Sequence, residues 1–248
     1  MSTPADSRRV FLSAEWRYLI FLNYVVDPSL LLSFVPPGTT LGSFQGKTYL
    51  SLVGFRFCKT KLWGKVAVPF HGEFEEVNLR FYVHREMDSE LRRGVVFIKE
   101  IVPKPAIALT ARWAYGENYV SLLMQHKVVR ADNSIDAEYS WRQDNSRFRL
   151  FASSQSVPLL PTPGSLEQYI TEHYWGYSRQ KSGSSLEYQA KHIPWPVSVA
   201  KHAVFEGPTE KLCGPEFAEV LRQPPVSAYI ARGSFVEVFA GVPLATGG

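Results

Sequence analysis

The alternation of apolar and polar side chains is sharpest in Glu76-Val77-Asn78-Leu79-Arg80-Phe81-Tyr82-Val83. Successive side chains of a strand point to opposite faces. Val77, Leu79, Phe81 and Val83 therefore share one face, and Glu76, Asn78, Arg80 and Tyr82 share the other. Runs rich in aromatic and branched residues predict further strands at 10–26, 48–57, 73–83, 94–102 and 186–192. Segments 122–129, 137–142 and 148–152 read as a meander, with Asp132-Asn133 and Asp144-Asn145 at its turns. Segments 226–231 and 234–239 read as a closing hairpin turned at Arg232-Gly233.

Helical spacing is rarer. Asp27-Pro28 gives a cap followed by a first-turn proline for a short helix over 29–34. Ser165 and Gln168 form a capping box for 165–174, where Leu166, Tyr169, Ile170 and His173 fall on one side. Pro215 opens a helix over 215–222 after Gly214, and Pro103-Lys104-Pro105 turns the chain into 106–113. No βαβ rhythm, glycine-rich phosphate loop or internal repeat interrupts this order. The pattern predicts a mainly β, α+β protein with a few short helices.

Composition agrees with that class. The chain has 248 residues, 45% hydrophobic and 20% charged, with aromatics at 14% and 17 each of Gly and Pro. These values suit one globular, turn-rich domain, expected over 10–241 between a flexible segment 1–9 and a tail 242–248. The two cysteines, Cys58 and Cys213, are far apart and form no metal-binding pair. No metal or cofactor is expected, and a reducing, cytoplasmic setting is.

The net charge of +4 is scattered among acids, with Arg92-Arg93 the longest local run, so no nucleic-acid partner is expected. Ser7-Arg8-Arg9-Val10-Phe11-Leu12 looks like an export signal, but Glu15 and Arg17 interrupt its apolar stretch and a strand from Val10 fits better. Residues 18–26 are far short of the ~20 apolar residues a membrane helix needs.

The polar strand face admits two readings. It meets water, as half-buried strands commonly do, or it lines the inside of a barrel, where Glu76, Asn78, Arg80 and Tyr82 would converge on a ligand. His192 shares a strand face with Leu186, Tyr188 and Ala190 and so points inward. An inward histidine is either a hydrogen-bonded core residue or a proton shuttle. The stiff Pro194-Trp195-Pro196 that follows would pack Trp195 against the same interior. Lys99 lies in an apolar run, Val95 to Ile101, where a buried amine would be nucleophilic. An exposed or carboxylate-paired Lys99 is the plainer reading.

The run Phe74 to Val83 resembles the E-V-N-x-R-x-Y-V motif of the domain-of-unknown-function 2071 family, a branch of the acetoacetate decarboxylase-like superfamily. Trp16 with Pro36-Pro37-Gly38, Gly94 to Phe97 leading to Ala111-Arg112, and Leu166 to Tyr177 with His192 to Pro196 resemble it in the same order. The resemblance implies a closed, bent β-barrel or cone around a cavity, with short peripheral helices. The decarboxylases use a lysine pair to form an imine with substrate. Here Arg112 and Gly116 match that stretch, but Tyr119 and Val120 stand where the lysines would be, and neither forms an imine. Glu117 departs from the nearer relatives, and its side chain could face cavity or solvent.

The resemblance and the strand face together give one expectation: a cavity binding a small carbonyl or carboxylate compound without Schiff-base chemistry. Glu76, Arg80 and His192 are the candidate catalytic residues. Asn78, Tyr82, Arg112, Tyr119 and Trp195 are the candidate ligand-binding residues. Any catalysis would be acid–base, of lyase or hydratase type. Two alternatives stand beside it: a non-catalytic scaffold or partner-binding barrel, and a decarboxylase-like enzyme with the displaced Lys99. The expected partner is a small molecule, with neither nucleic acid nor membrane. Assembly into homo-oligomers is left open.

Overall fold

The computed structural model describes residues 8–67, 70–87 and 90–244. Its strands run β1 (Val10–Val26), β2 (Thr40–Leu41), β3 (Thr48–Leu62), β4 (Val66–Ala67), β5 (Phe74–Met87), β6 (Glu90–Val102), β7 (Tyr119–Ser121), β8 (Met124–Ala131) and β9 (Ser134–Gln143). They continue as β10 (Ser146–Ser154), β11 (Trp175–Arg179), β12 (Ser185–Lys191), β13 (Val197–Val199), β14 (His202–Glu206), β15 (Ser227–Ala231), β16 (Phe235–Phe239) and β17 (Val242–Pro243). The helices are α1 (Pro105–Tyr115), α2 (Leu166–Thr171), α3 (Thr209–Cys213) and α4 (Pro215–Arg222).

The pairing path β1-β16-β12-β11-β6-β5-β3 returns to β1, so the large sheet closes on itself as a bent ring. Its curvature has local causes. Register slips in β1 between Arg17 and Ile20, and in β3 opposite Ser13 to Glu15, each insert an extra residue. Tyr18 and Lys59 take left-handed backbone at these places, with φ of 56° and 54°. An extra residue in one strand bends and twists it.

Closure is thin at two seams. β11 meets β6 in parallel through Trp175↔Gly94 and Gly176↔Val95, and β12 meets β16 through Ala190↔Val238 and Lys191↔Glu237. The first seam is reinforced by Glu187, which is buried. Its carboxylate takes Arg92 at 2.7 Å, Arg85 at 3.0 Å and Arg8 at 3.5 Å, and accepts from the Tyr177 hydroxyl at 3.0 Å.

A second, antiparallel sheet, β14-β10-β9-β8, covers one side of the ring. It contains the predicted meander, with β8–β9 turning at Asp132-Asn133 and β9–β10 at Asp144-Asn145. One core lies between the two sheets, where Val77, Leu79, Phe81 and Val83 meet Ala137, Tyr139, Trp141 and Leu150. The other fills the ring with Phe21, Val53, Phe55, Phe57, Tyr82, Val95 and Tyr188. Strict alternation along β5 divides its side chains between these cores.

Several local expectations change. Segment 29–34 forms two 3-10 turns, Pro28–Leu30 and Leu32–Phe34, with the Asp27 carboxylate capping Ser29 N at 2.8 Å. Segment 106–113 lies in α1. The expected terminal hairpin is a single interrupted strand: β15 and β16 both pair with β1 in one continuous register. Trp16 N and Tyr18 N donate to Ser234 O and Arg232 O across the interruption. Gly233, at φ 78°, is required there because a Cβ would stand 1.9 Å from Trp16 O. Val242 and Pro243, in the expected C-terminal tail, pair with Glu187 and Leu186 of β12. Residues 1–7 and 245–248 of the expected terminal segments lie outside the described residues. No described helix is long and apolar enough to cross a membrane.

Candidate functional site

The ring holds a cavity of about 230 Å³ that opens to the outside, with room for roughly eight waters. Most of its wall is aromatic or aliphatic, including Trp16, Phe55, Phe57, Phe74, Phe97 and Trp175. Its polar side chains come mainly from three neighbouring elements. β5 supplies Glu76, Asn78 and Arg80, β6 supplies Glu100, and Gly116 turns the chain from α1 into β7, which brings Glu117 and Tyr119. β12 adds Tyr188 from the other side.

Glu100 reaches the cavity through a bulge. Leu79 pairs with Lys99 but Arg80 pairs with Phe97, so Ile98 is an extra residue in β6. Val95 and Phe97 face inward before it, and Glu100 after it. Lys99 is turned outward, where its ammonium donates to Lys211 O at 3.3 Å. Burial lowers its pKa, but it does not line the cavity. Among the described residues lining the cavity there is no lysine. The bulge is held by Asn118, whose side chain donates to Ile98 O at 3.1 Å while its carbonyl accepts from Glu100 N at 3.0 Å.

The carboxyls form a connected group. Glu76 accepts from Asn78 Nδ2 at 3.0 Å and from the Tyr119 hydroxyl at 3.5 Å. Glu117 accepts from the Tyr188 hydroxyl at 2.6 Å. Tyr188 can lie there because Gly176 has no side chain: a Cβ would stand 2.1 Å from the Tyr188 ring. Glu100 lies between them, within hydrogen-bonding reach of Tyr119 and Glu117.

All three carboxyls are buried, and burial favours the uncharged acid. Burial pushes Glu76 up to about 7, against the opposing hydrogen bonds of Asn78 and Tyr119. Burial, reinforced by Glu76, pushes Glu117 up to about 8 although the Tyr188 bond opposes it. Glu100 is held well above the carboxylate range by burial and by both neighbouring acids. Groups this close exchange protons as a coupled set.

Arg80 faces the cavity two residues beyond Asn78. It donates to Ile170 O at 3.4 Å and lies 5.4 Å from the Phe21 ring centre. Its Nε is buried without a partner, and among the described residues no carboxylate is within ion-pair distance of it. His173 of the α2 region also lines the cavity. Its Nε2 lies 2.5 Å from Tyr169 O, and a carbonyl only accepts, so Nε2 carries the proton. Burial, with Arg80 beside it, lowers the His173 pKa to about 3. It is therefore a neutral imidazole, stacked on Tyr82 at 4.6 Å.

Of the sequence candidates, the structure brings Glu76, Asn78, Arg80 and Tyr119 to the cavity. Tyr82 lies inside the ring but behind the cavity, its hydroxyl 2.6 Å from Ser51 Oγ. Trp195 is buried, with Nε1 donating to Ser234 Oγ at 2.8 Å. His192 does not line the cavity either. It follows the end of β12, stacks on Trp195 at 3.9 Å, and holds Ile193 O at 2.8 Å through Nδ1. Burial lowers its pKa to about 4, which leaves it a neutral imidazole at neutral pH. Arg112 is on the outside, where Nε donates to Tyr119 O at 2.6 Å. It fixes the backbone that presents Tyr119.

Solved structures of the same fold include an acetoacetate decarboxylase-like enzyme from Sphingomonas wittichii RW1. It is 12% identical, covers 98% of this chain and 97% of its own, and has a TM-score of 0.67. The enduracididine biosynthesis enzyme MppR, in complex with pyruvate, is 13% identical over 99% of this chain and 92% of its own, with a TM-score of 0.64. The uncharacterized protein YqjF of Bacillus subtilis (strain 168) is 24% identical over 184 residues, 73% of this chain and 72% of its own length. Residues 13–234 match the domain-of-unknown-function 2071 family, described as an uncharacterized conserved protein, and the chain belongs to that family.

Proposed function

We propose that the cavity binds a small carboxylate compound bearing a carbonyl or hydroxyl group, and handles it by acid–base chemistry without an imine. The observation that carries this reading is the unpaired Arg80 on the same cavity wall as the Glu76–Tyr119–Glu100 group, with no lysine on that wall. A guanidinium recognises a carboxylate in two-pronged fashion. The protonated Glu100 and the Tyr119 hydroxyl are donors for a carbonyl oxygen. Glu76, titrating near 7, is matched to accept or return a proton at working pH. Removal of a proton beside the carbonyl by Glu76 would send the bonding pair to that oxygen, where the two donors hold it.

The pyruvate bound by the similarly folded MppR is of the same chemical class. A purely structural ring would use Arg80 and the carboxyls to neutralise one another. Arg80 instead lacks an ion pair, which favours the ligand reading over a scaffold. The outward Lys99 disfavours a displaced-lysine decarboxylase.

A thermal-shift screen of small carboxylates and 2- and 3-oxo acids tests the reading. At least one oxo acid should raise Tm in the native chain and fail to do so in Arg80→Met. Borohydride added with that acid should leave the mass unchanged. Absence of any shift across the panel refutes the binding claim, and a reduced adduct refutes the claim that no imine forms.

A further inference from the structure

The wall of the cavity is polar at two places of opposite character, the Arg80 guanidinium and the acid group, and the reading above leaves Glu117 and Asn78 Oδ1 without a role. We propose that the ligand carries, besides the carboxylate held by Arg80, a cationic ammonium end received by Glu100, Glu117 and Asn78, so that the site takes an ω-amino carboxylate or a similar zwitterion. This rests on the Arg80 reading and extends it.

Four observations support it. Glu76, Glu100 and Glu117 have no ion-pair partner among the described residues, although three acids are collected on one side of the cavity. Asn78 Oδ1 and Glu100 Oε2 are both buried without any hydrogen-bond partner, on residues that are 2% and 1% exposed and line the cavity. A buried polar atom without a partner destabilises the fold. Asn78 Oδ1 only accepts, and an ammonium offers three donors and no acceptor.

The placement also suits a ligand with separated charges. Asn78 and Glu100 face each other across β5 and β6, two residues from Arg80, or about 7 Å along the strand. A metal ion is a poorer candidate, because the described residues include no group of three or more His, Cys, Asp or Glu arranged to hold one. Burial and mutual repulsion keep Glu100 and Glu117 protonated by themselves. An ammonium placed between them supplies the counter-charge that lets one ionise.

Isothermal titration calorimetry at neutral pH on the full chain tests the proposal. The probes are 4-aminobutanoate, 5-aminopentanoate and 6-aminohexanoate, each against the carboxylate of equal length without the amine. The best amino acid should bind at least tenfold tighter than its match. Glu100→Gln, if its Tm is close to that of the native chain, should reduce the advantage to below threefold; an advantage kept at tenfold or more in that variant overturns the inference. Equal or tighter binding of the plain carboxylates overturns this inference and leaves the Arg80 reading standing. If no carboxylate of either kind binds, the Arg80 reading fails and takes the inference with it. Should Glu100→Gln fail to fold, the native ratio decides.

Discussion

Raising the pH from about 6.5 to about 8.5 should destabilise this fold, with the acids of the cavity wall as the cause. In the unfolded chain a glutamate titrates near 4.5; in the fold Glu76 titrates at about 7 and Glu117 at about 8. Between those values the folded state holds protons that the unfolded state has released. Stability then falls as pH rises. The contribution of each acid is fully present below 4.5 and is lost as pH passes the folded value.

The histidines act in the opposite direction. His173, at about 3, and His192, at about 4, stay neutral in the fold, whereas in the unfolded chain each is half protonated at its ordinary value of 6.5. The two together therefore return about 1 kcal/mol between about pH 6.5 and about pH 8.5, and stopping at about pH 8.5 stays under the ordinary thiol value of 9.0 for Cys58 and Cys213. Across that window the linkage relation gives a loss of about 1 kcal/mol from Glu76 and about 2 kcal/mol from Glu117, and Glu100 acts in the same direction. Less the histidine gain, a net loss of about 2 kcal/mol from Glu76, Glu117 and the two histidines corresponds to a fall in Tm of roughly 4–8 °C for a chain of this size. Scanning calorimetry on the native chain and on Glu76→Gln measures it. The variant keeps the Asn78 bond but carries no titrating group at position 76, and its fall should be smaller than that of the native chain. A Tm that is flat or rising over the window refutes the assignment of these carboxyls as buried acids.

Further consequences concern the elements that hold the ring and the site. Glu187→Gln leaves Arg8, Arg85 and Arg92 around a neutral amide at the β11–β6 seam, and breaking such a buried network costs about 3–5 kcal/mol, readable in a urea melt. Gly176→Ala puts a methyl into the Tyr188 ring; overpacking costs about 1–3 kcal/mol, and the displaced hydroxyl should also weaken any ligand that depends on Glu117. Asn118→Leu removes the donor to Ile98 O and should cost about 1–3 kcal/mol, with hydrogen exchange rising in β6 and β7 but not in the β8–β9–β10 meander.

How much of this was legible depends on how local each signal is. The β5 alternation divided its side chains between two cores, and the Asx turns located the meander, because both depend on neighbours in sequence. From sequence the β15–β16 pair reads as a hairpin because Arg232-Gly233 is ordinary turn chemistry; only the presence of β1 alongside makes Gly233 a point of backbone contact. His192 was displaced for a related reason. Alternation along β12 holds through Tyr188 and Ala190, which do line the cavity, but the strand ends at Lys191 and the next residue is free to stack on Trp195. His173 was assigned to a helix face, and nothing in that spacing separates a core position from a cavity wall.

The choice between Lys99 and Glu100 turned on one residue. From Val95 and Phe97, strict alternation would send Lys99 into the cavity and Glu100 out, and the apolar run gives no glycine or proline to mark a break. The extra residue at Ile98 reverses the phase, and its carbonyl is met by a side chain twenty positions later, at Asn118. The same segment then carries Glu117 and Tyr119 into the cavity. One interaction therefore turns the amine away from the cavity and gathers the acids around it. With an inward lysine, this wall could pair its charges internally; with Glu100 there instead, the counter-charge must come from a ligand or the carboxyls must keep their protons. The bulge thus decides which side chain reaches the cavity, placing the Glu100 carboxyl beside Glu117 and Tyr119 and leaving Lys99 outside.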